Sequence, residues 1–284
     1  MNPKYLILDT RYLNPNKEYE DENLYSEFQN KLEFFKTDLL TNIFSDFPKT
    51  YYKFGDGDYF FLKKDPRGSA KPGKRAIKKP YFMINHRPFV KGAIQNDYYM
   101  SLITKMHKDM FEDYFKKSFD FPSEFVYGLT ANRWLTSSTT PKIGLIGADI
   151  KLEIISNLMN KQEYREYLGL NEFTDYISIP QRFACYNLNK IYKSVSKELE
   201  KSSAELFLLG IGHIKSGLLS KLKIHSNAVF LDIGVGIDAL AGVVNLTRPY
   251  FGSWTNFQLK NHRIYTEVDY LVNNENRIGN IKLI

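Results

Sequence analysis

The chain of 284 residues is 43% hydrophobic and 25% charged, which suits a globular α/β protein with a large core, built as one domain or as two small ones. Its single cysteine, Cys185, excludes an internal disulfide and fits a reducing compartment; no signal-peptide-like start or run near the ~20 apolar residues of a membrane span is evident, so a soluble cytoplasmic protein is expected. The net charge of +7 is local: residues 63–79 hold eight Lys and Arg against Asp65, and the remainder balances at 31 basic and 31 acidic, which argues against a nucleic-acid-coating surface.

In chain order, Tyr5-Leu6-Ile7-Leu8 reads as an edge strand. From Asn23 to about Phe44, Leu24, Phe28, Leu32, Phe35, Leu39, Leu40 and Ile43 recur at spacings of three and four, the signature of an amphipathic helix that Pro48 ends. Next comes Lys53-Phe54-Gly55-Asp56-Gly57-Asp58. Two carboxylates one residue apart, each with a glycine before it, offer hard oxygen ligands suited to Mg²⁺ or Mn²⁺ on a backbone able to turn sharply. The plainer reading is a tight turn between two strands, since Asp-Gly is a strong hairpin signal.

The basic stretch 63–79, broken by Pro66, Gly68, Pro72 and Gly73, reads as a surface loop, and its cations would also suit a flap closing on phosphate. Residues 96–117 carry Tyr98, Leu102, Ile103, Met106, Met110, Phe111, Tyr114 and Phe115 on one broad helical face. Phe125-Val126-Tyr127 is expected to be a strand. Beyond it, Arg133 and Trp134 offer a phosphate fork and a stacking face, although a half-buried Trp beside a surface Arg is the more ordinary situation.

From Lys142 onward short apolar runs alternate with helical patterns. Strands are predicted at 143–147, 176–179, 206–209 and 229–232. The helices between them contain Leu152, Ile155 and Leu158, then span about 187–201 and 214–222. This alternation predicts a mostly parallel sheet with helices on both faces, with ligands bound beyond the carboxyl ends of the strands. Those ends carry Gly147-Ala148-Asp149, Pro180-Gln181-Arg182, Gly210-Ile211-Gly212-His213-Ile214-Lys215 and Asp232-Ile233-Gly234-Val235-Gly236. Two glycines opening a helix near His213 and Lys215 suit an anion, although such turns often serve packing alone.

The run 229–236 also looks like the first motif of an S-adenosylmethionine-dependent methyltransferase. Its third glycine position is Asp238, however, and only about fifty residues follow it, too few for the βαβ units that such a domain places after it.

Taken in order over residues 50 to 250, the pieces resemble the GT-D type of nucleotide-sugar glycosyltransferase. The family's R-[FY]-G-D-G-E is similar to Lys53-Phe54-Gly55-Asp56-Gly57-Asp58. Its buried strand ending in glycine is similar to Ile143–Gly147, its I-P strand end to Ile179-Pro180, and its L-G-x-G turn followed by Lys to Leu209–Gly212 with Lys215. The strand end D-I-G matches Asp232-Ile233-Gly234, and Asp238–Gly242 with Thr247-Arg248-Pro249 looks like the segment that follows. Asp58 stands where the family usually has Glu, and Lys53 where it usually has Arg.

The resemblance implies a single Rossmann-like α/β transferase domain. Residues 1–140 would carry the Gly-Asp-Gly-Asp motif and basic loop, 141–250 the βα units, and 251–284 a C-terminal extension. It implies a metal-dependent enzyme that passes a sugar from a nucleoside-diphosphate donor, with a UDP-sugar favoured, to a glycan or glycoprotein. Asp56 and Asp58 would bind Mn²⁺ or Mg²⁺. The donor would meet Lys53, Phe54, Gly55, Gly57, Gly210, Gly212, Lys215, Gly234 and Arg248. Asp232, Asp238, Asp149 and His213 are candidates for a catalytic base, among which the residues alone do not choose. No nucleic-acid partner and no transmembrane segment are expected, while 63–79 would allow peripheral membrane contact. A methyltransferase, or a binding module whose basic loop meets polyanions, are the alternatives.

Overall fold

Short aromatic and aliphatic runs form seven parallel strands, β1 (Thr50–Lys53), β2 (Tyr98–Ser101), β3 (Phe121–Pro122), β4 (Ile143–Ala148), β5 (Asp175–Ile179), β6 (Leu206–Gly210) and β7 (Val229–Asp232). The computed structural model describes residues 22–65, 67, 84–127, 141–181, 184–242, 257–259 and 282–283. The strands form one sheet in the order β3-β2-β1-β7-β6-β4-β5, and every pairing is parallel. The first strand therefore lies in the middle beside the last, with Thr50 opposite Phe230.

Parallel strands need crossovers, and helices cover both faces as expected. One face carries α1 (Glu22–Ile43), α5 (Asp149–Met159), α6 (Gln162–Leu168) and α9 (Gly236–Leu240), packed on Tyr51, Met100, Leu145, Leu208 and Leu231. The other carries α2 (Asp56–Leu62), α3 (Arg87–Ala93), α4 (Lys105–Phe115), α7 (Leu188–Leu199) and α8 (Lys215–Leu222), packed on Tyr52, Tyr99, Phe207 and Phe230. Side chains alternate along a strand, so Phe230 and Asp232 share the face of α2 and α8. A short pair, β8 (Phe257–Gln258) with β9 (Lys282–Leu283), lies outside the main sheet.

Three predicted elements differ. The helix expected over 96–117 is a strand, Tyr98–Ser101, followed by a helix that starts only at Lys105. Tyr98 and Tyr99 pair with Tyr51 and Tyr52 of β1, and that distant partner overrides the local helical spacing. Phe125-Val126-Tyr127 lies in a 3-10 turn, Ser123–Tyr127, rather than a strand. The carboxylates of the Gly-Asp-Gly-Asp stretch sit in the first turn of α2, not in a hairpin. The expected Tyr5–Leu8 strand, loop residues 68–79, Arg133, Trp134, Arg182 and Arg248 lie outside the described residues.

Two hydroxyls tie the central strand to its helices. The Tyr51 hydroxyl donates to Asp38 Oδ2 of α1 at 2.5 Å, and the Tyr52 hydroxyl is 2.7 Å from Ser216 Oγ of α8. Both tyrosine side chains are wholly buried, so β1 is tied to α1 on one face of the sheet and to α8 on the other. Gly144 of β4 permits a close fit next door, because a Cβ there would lie 2.3 Å from the ring of Phe207.

Candidate functional site

The charged residues of the sequence meet beyond the carboxyl ends of β1, β7 and β6. Lys215 opens α8 and is buried. Its Nζ lies 3.0 Å from Asp58 Oδ2 and 2.7 Å from Asp232 Oδ2, and it also donates to the carbonyl of Lys53. Asp232, wholly buried, accepts the Lys53 N–H at 3.2 Å and the Gly234 N–H at 2.9 Å. Asp58 accepts the Gly55 N–H at 3.1 Å, which seals the first turn of α2 as an N3 carboxylate does. Residues from four segments are thus bound into one polar knot.

Burial opposes ionisation of Asp58, but the Lys215 ammonium, with a contribution from His213, overcomes it and holds the carboxyl at about 2. Burial likewise pulls Lys215 down, yet Asp232 and then Asp58 raise it above its ordinary value, so it stays an ammonium. Desolvated charges persist because each has opposite charge and hydrogen bonds around it.

His213 stands at the edge of this knot. Its Nδ1 is 3.4 Å from Asp58 Oδ1, its ring stacks on Phe61 at 4.8 Å and 4°, and 18% of its side chain is exposed. Gly57 leaves room for it, since a Cβ there would lie 3.1 Å from His213 Cε1. Gly212 has φ +60 with open space where a side chain would be, and Gly234, at φ +53, faces the Lys53 side chain, a Cβ there lying 3.3 Å from Nζ. Both positive angles favour glycine.

The remaining predicted donor contacts fare differently. Phe54 is buried in an aromatic cluster with Phe111, Tyr114 and Phe115 and packs rather than presenting a face to a ligand. Gly210 admits Ile237 of α9, because a Cβ there would lie 2.3 Å from that side chain and 2.6 Å from the Gly234 carbonyl. Lys215 spends its charge on two carboxylates instead of facing outward. Of the proposed bases, Asp232 is sealed in by Lys215, Asp238 pairs with Lys151, and Asp149 accepts the Ile150 N–H at 2.8 Å. His213 is the candidate with an oriented ring and some exposure.

The expected metal pair does not fit these side chains. Asp58, the second carboxylate of that pair, is buried and already engaged by the Lys215 ammonium and the Gly55 N–H. Asp58 turns inward to Lys215, and Asp56 is half-buried. Among the described residues, no group of three or more His, Cys, Asp and Glu side chains is arranged to hold a metal ion.

Sequence reading missed Phe61 and Ser216. The first is signalled by its place one turn after Asp58 on α2; the second, which anchors Tyr52, has no local signal.

Fold and site together define an α/β protein with a charged site at the carboxyl edge of a parallel sheet. No protein-family model matches the chain, and no curated protein matches it. Among solved structures it is similar to one described as "A New Glycosyltransferase (DUF1792) from Streptococcus sanguinis", with 13% identity, 72% of this chain and 81% of that chain covered, and a TM-score of 0.43. A likeness of that extent carries neither family nor activity across to this chain. Among the described residues no helix is long and apolar enough to cross a membrane.

Proposed function

We propose that this chain is a glycosyltransferase of the GT-D type, which binds the diphosphate of a nucleoside-diphosphate sugar at the rim formed by β1, β7 and β6 and passes the sugar to a hydroxyl of a glycan or glycoprotein. The observation that carries this reading is convergence: Lys53, Asp58, Lys215, Asp232 and Gly234 come from three separate motifs, and all meet within hydrogen-bonding or van der Waals reach at one strand-end site.

In the transfer, the bond from the anomeric carbon to the diphosphate oxygen breaks as a bond to the acceptor oxygen forms, and the acceptor proton leaves. Negative charge grows on the departing diphosphate. Lys53 and the N–H groups at the glycine-opened start of the Gly212–Ile214 turn and α8 supply fixed positive potential for it. His213, aimed by Asp58 at Nδ1 and clamped on Phe61, takes the acceptor proton at Nε2. Lys215 is a positioning residue: it holds Asp58 under His213 and locks the Lys53 backbone. No step is routed through a divalent ion, because Asp58 of the expected pair is engaged by the Lys215 ammonium.

The methyltransferase alternative draws no support from the site, since the acid of its motif, Asp232, is buried and committed to Lys215. Of the basic loop, the described Lys63 pairs with Asp113 and Arg67 with Asp65, so neither supports a polyanion-binding role.

The test is a panel of nucleotide sugars, UDP-sugars first, assayed for release of nucleoside diphosphate and for labelled product. His213→Gln should lower kcat by about 10²-fold or more while leaving donor binding in place, the size expected on losing a general base. Full activity in His213→Gln removes the base; absence of any binding or turnover across the panel removes the transferase reading.

A further inference from the structure

Where the sequence motif places a divalent cation, the described side chains place an ammonium. Lys215 Nζ is surrounded by three oxygens: Asp58 Oδ2 at 3.0 Å, Asp232 Oδ2 at 2.7 Å, and the carbonyl of Lys53. Two carboxylates and a backbone carbonyl converging on a buried point are the donor set that a hard cation takes. The distances are those of N⁺–H···O⁻ hydrogen bonds, longer than the ~2.0–2.1 Å of Mg²⁺ coordination.

We infer that Lys215 is a built-in cation that fills an oxygen cage formed by Asp58, Asp232 and the Lys53 carbonyl, so that the site binds its nucleoside-diphosphate ligand without Mg²⁺ or Mn²⁺. The ligand half of this statement rests on the transferase reading; the cage half does not.

Two observations support the cage. The ammonium is covalently tethered and buried, so an incoming ion has to expel a charge that cannot diffuse away. Each oxygen has a structural duty besides holding Lys215. Asp58 Oδ2 seals α2 through the Gly55 N–H, Asp232 binds the β1 and Gly234 amides, and the Lys53 carbonyl belongs to the end of β1. Reorienting them around a smaller ion would disturb two strand ends and a helix start.

Replacing the lysine should uncover the latent site. With Lys215→Ala, two carboxylates and a carbonyl are left facing a space from which a cation has been removed, and a divalent ion balances both charges. The experiment titrates Mn²⁺ into the wild-type chain and into Lys215→Ala, reading bound ion by electron paramagnetic resonance and thermal stability in parallel. The expected result is no stoichiometric Mn²⁺ on the wild type, and one ion with a raised Tm on the variant. Stoichiometric Mn²⁺ on the unliganded wild type overturns the cage.

Calorimetry of UDP binding to the wild type, in chelator and in Mn²⁺, settles the ligand half even if the variant fails to fold. Affinities within about twofold of each other are expected, whereas Mn²⁺ tightening of tenfold or more, about 1.4 kcal/mol, overturns the inference. Should UDP and the nucleotide-sugar panel bind under neither condition, the transferase reading and the ligand half fall together, while the Mn²⁺ titration still decides the cage.

Discussion

Asp232→Ala removes a carboxylate that the structure uses three times. The wholly buried side chain pairs with Lys215 at 2.7 Å and accepts the amides of Lys53 at 3.2 Å and Gly234 at 2.9 Å. Truncation leaves a buried ammonium with Asp58 as its remaining carboxylate, and breaking a buried pair in this way costs about 3–5 kcal/mol. Gly234 keeps a second acceptor, the Leu209 carbonyl at 3.1 Å, and the Lys53 N–H loses its bond to the carboxylate, which as a bond to a charged group is worth about 1.5–3 kcal/mol. These contributions share one network and do not simply add, so the expectation is a loss of at least about 3 kcal/mol, a large share of a stability near 5–15 kcal/mol. Asp232→Asn, which retains shape and an acceptor oxygen but not the charge, should lose less. Urea unfolding followed by circular dichroism at neutral pH measures both. A change below about 1 kcal/mol for Asp232→Ala would refute the buried network, since surface-like positions show effects of that size.

Asp58 sits below its unfolded pKa, so its contribution is complete above that value and is lost as pH falls through about 2. Lys215 sits above its ordinary 10.5, so its contribution is complete below that pH and is lost only at higher alkalinity. The Asp58–Lys215 pair should therefore add a constant amount between about pH 8 and 10, above the ordinary histidine range, and a wild-type-minus-Asp58→Asn difference in Tm that slopes across this window would contradict it. Gly210→Ala drives a Cβ to 2.3 Å from Ile237 and 2.6 Å from a backbone carbonyl and should cost about 1–3 kcal/mol by overpacking, read from the urea midpoint. Cys185 is buried, and burial followed by the charge of Asp58 pushes its thiol up to about 12. It should react with a disulfide reagent only at the rate of unfolding, and a rapid native-state reaction would show the thiol exposed.

Alternation of apolar runs with helical patterns after Lys142 is a local property, and β4 to β7 with their helices follow from it. The helix from 23 to 44 is likewise carried by its own spacing and is found as α1. Where sequence reading and structure part, the deciding partner is far along the chain. Tyr98–Ser101 is extended because Tyr51–Lys53 pairs with it, a contact that no window of neighbouring residues reports. Asp58 is similar: its type and spacing suggest a metal ligand, and its inward role appears only once α8 brings Lys215 against it. The glycines divide the same way, since only folding shows that Gly210 serves Ile237 whereas Gly212 opens onto space.

The site is closed by groups that lie 179 residues apart in the chain, the Lys53 amide and the Asp232 carboxylate. Until β7 has been synthesised and docked, β1 presents one unpaired edge, a template for wrong partners as well as the right one. Chains cut short before Val229 should accordingly collect as aggregates during expression, and the intact protein should refold slowly, as parallel sheets with distant pairings do. Supplying residues 229–242 as a separate peptide to such a shortened chain would then compete with self-association.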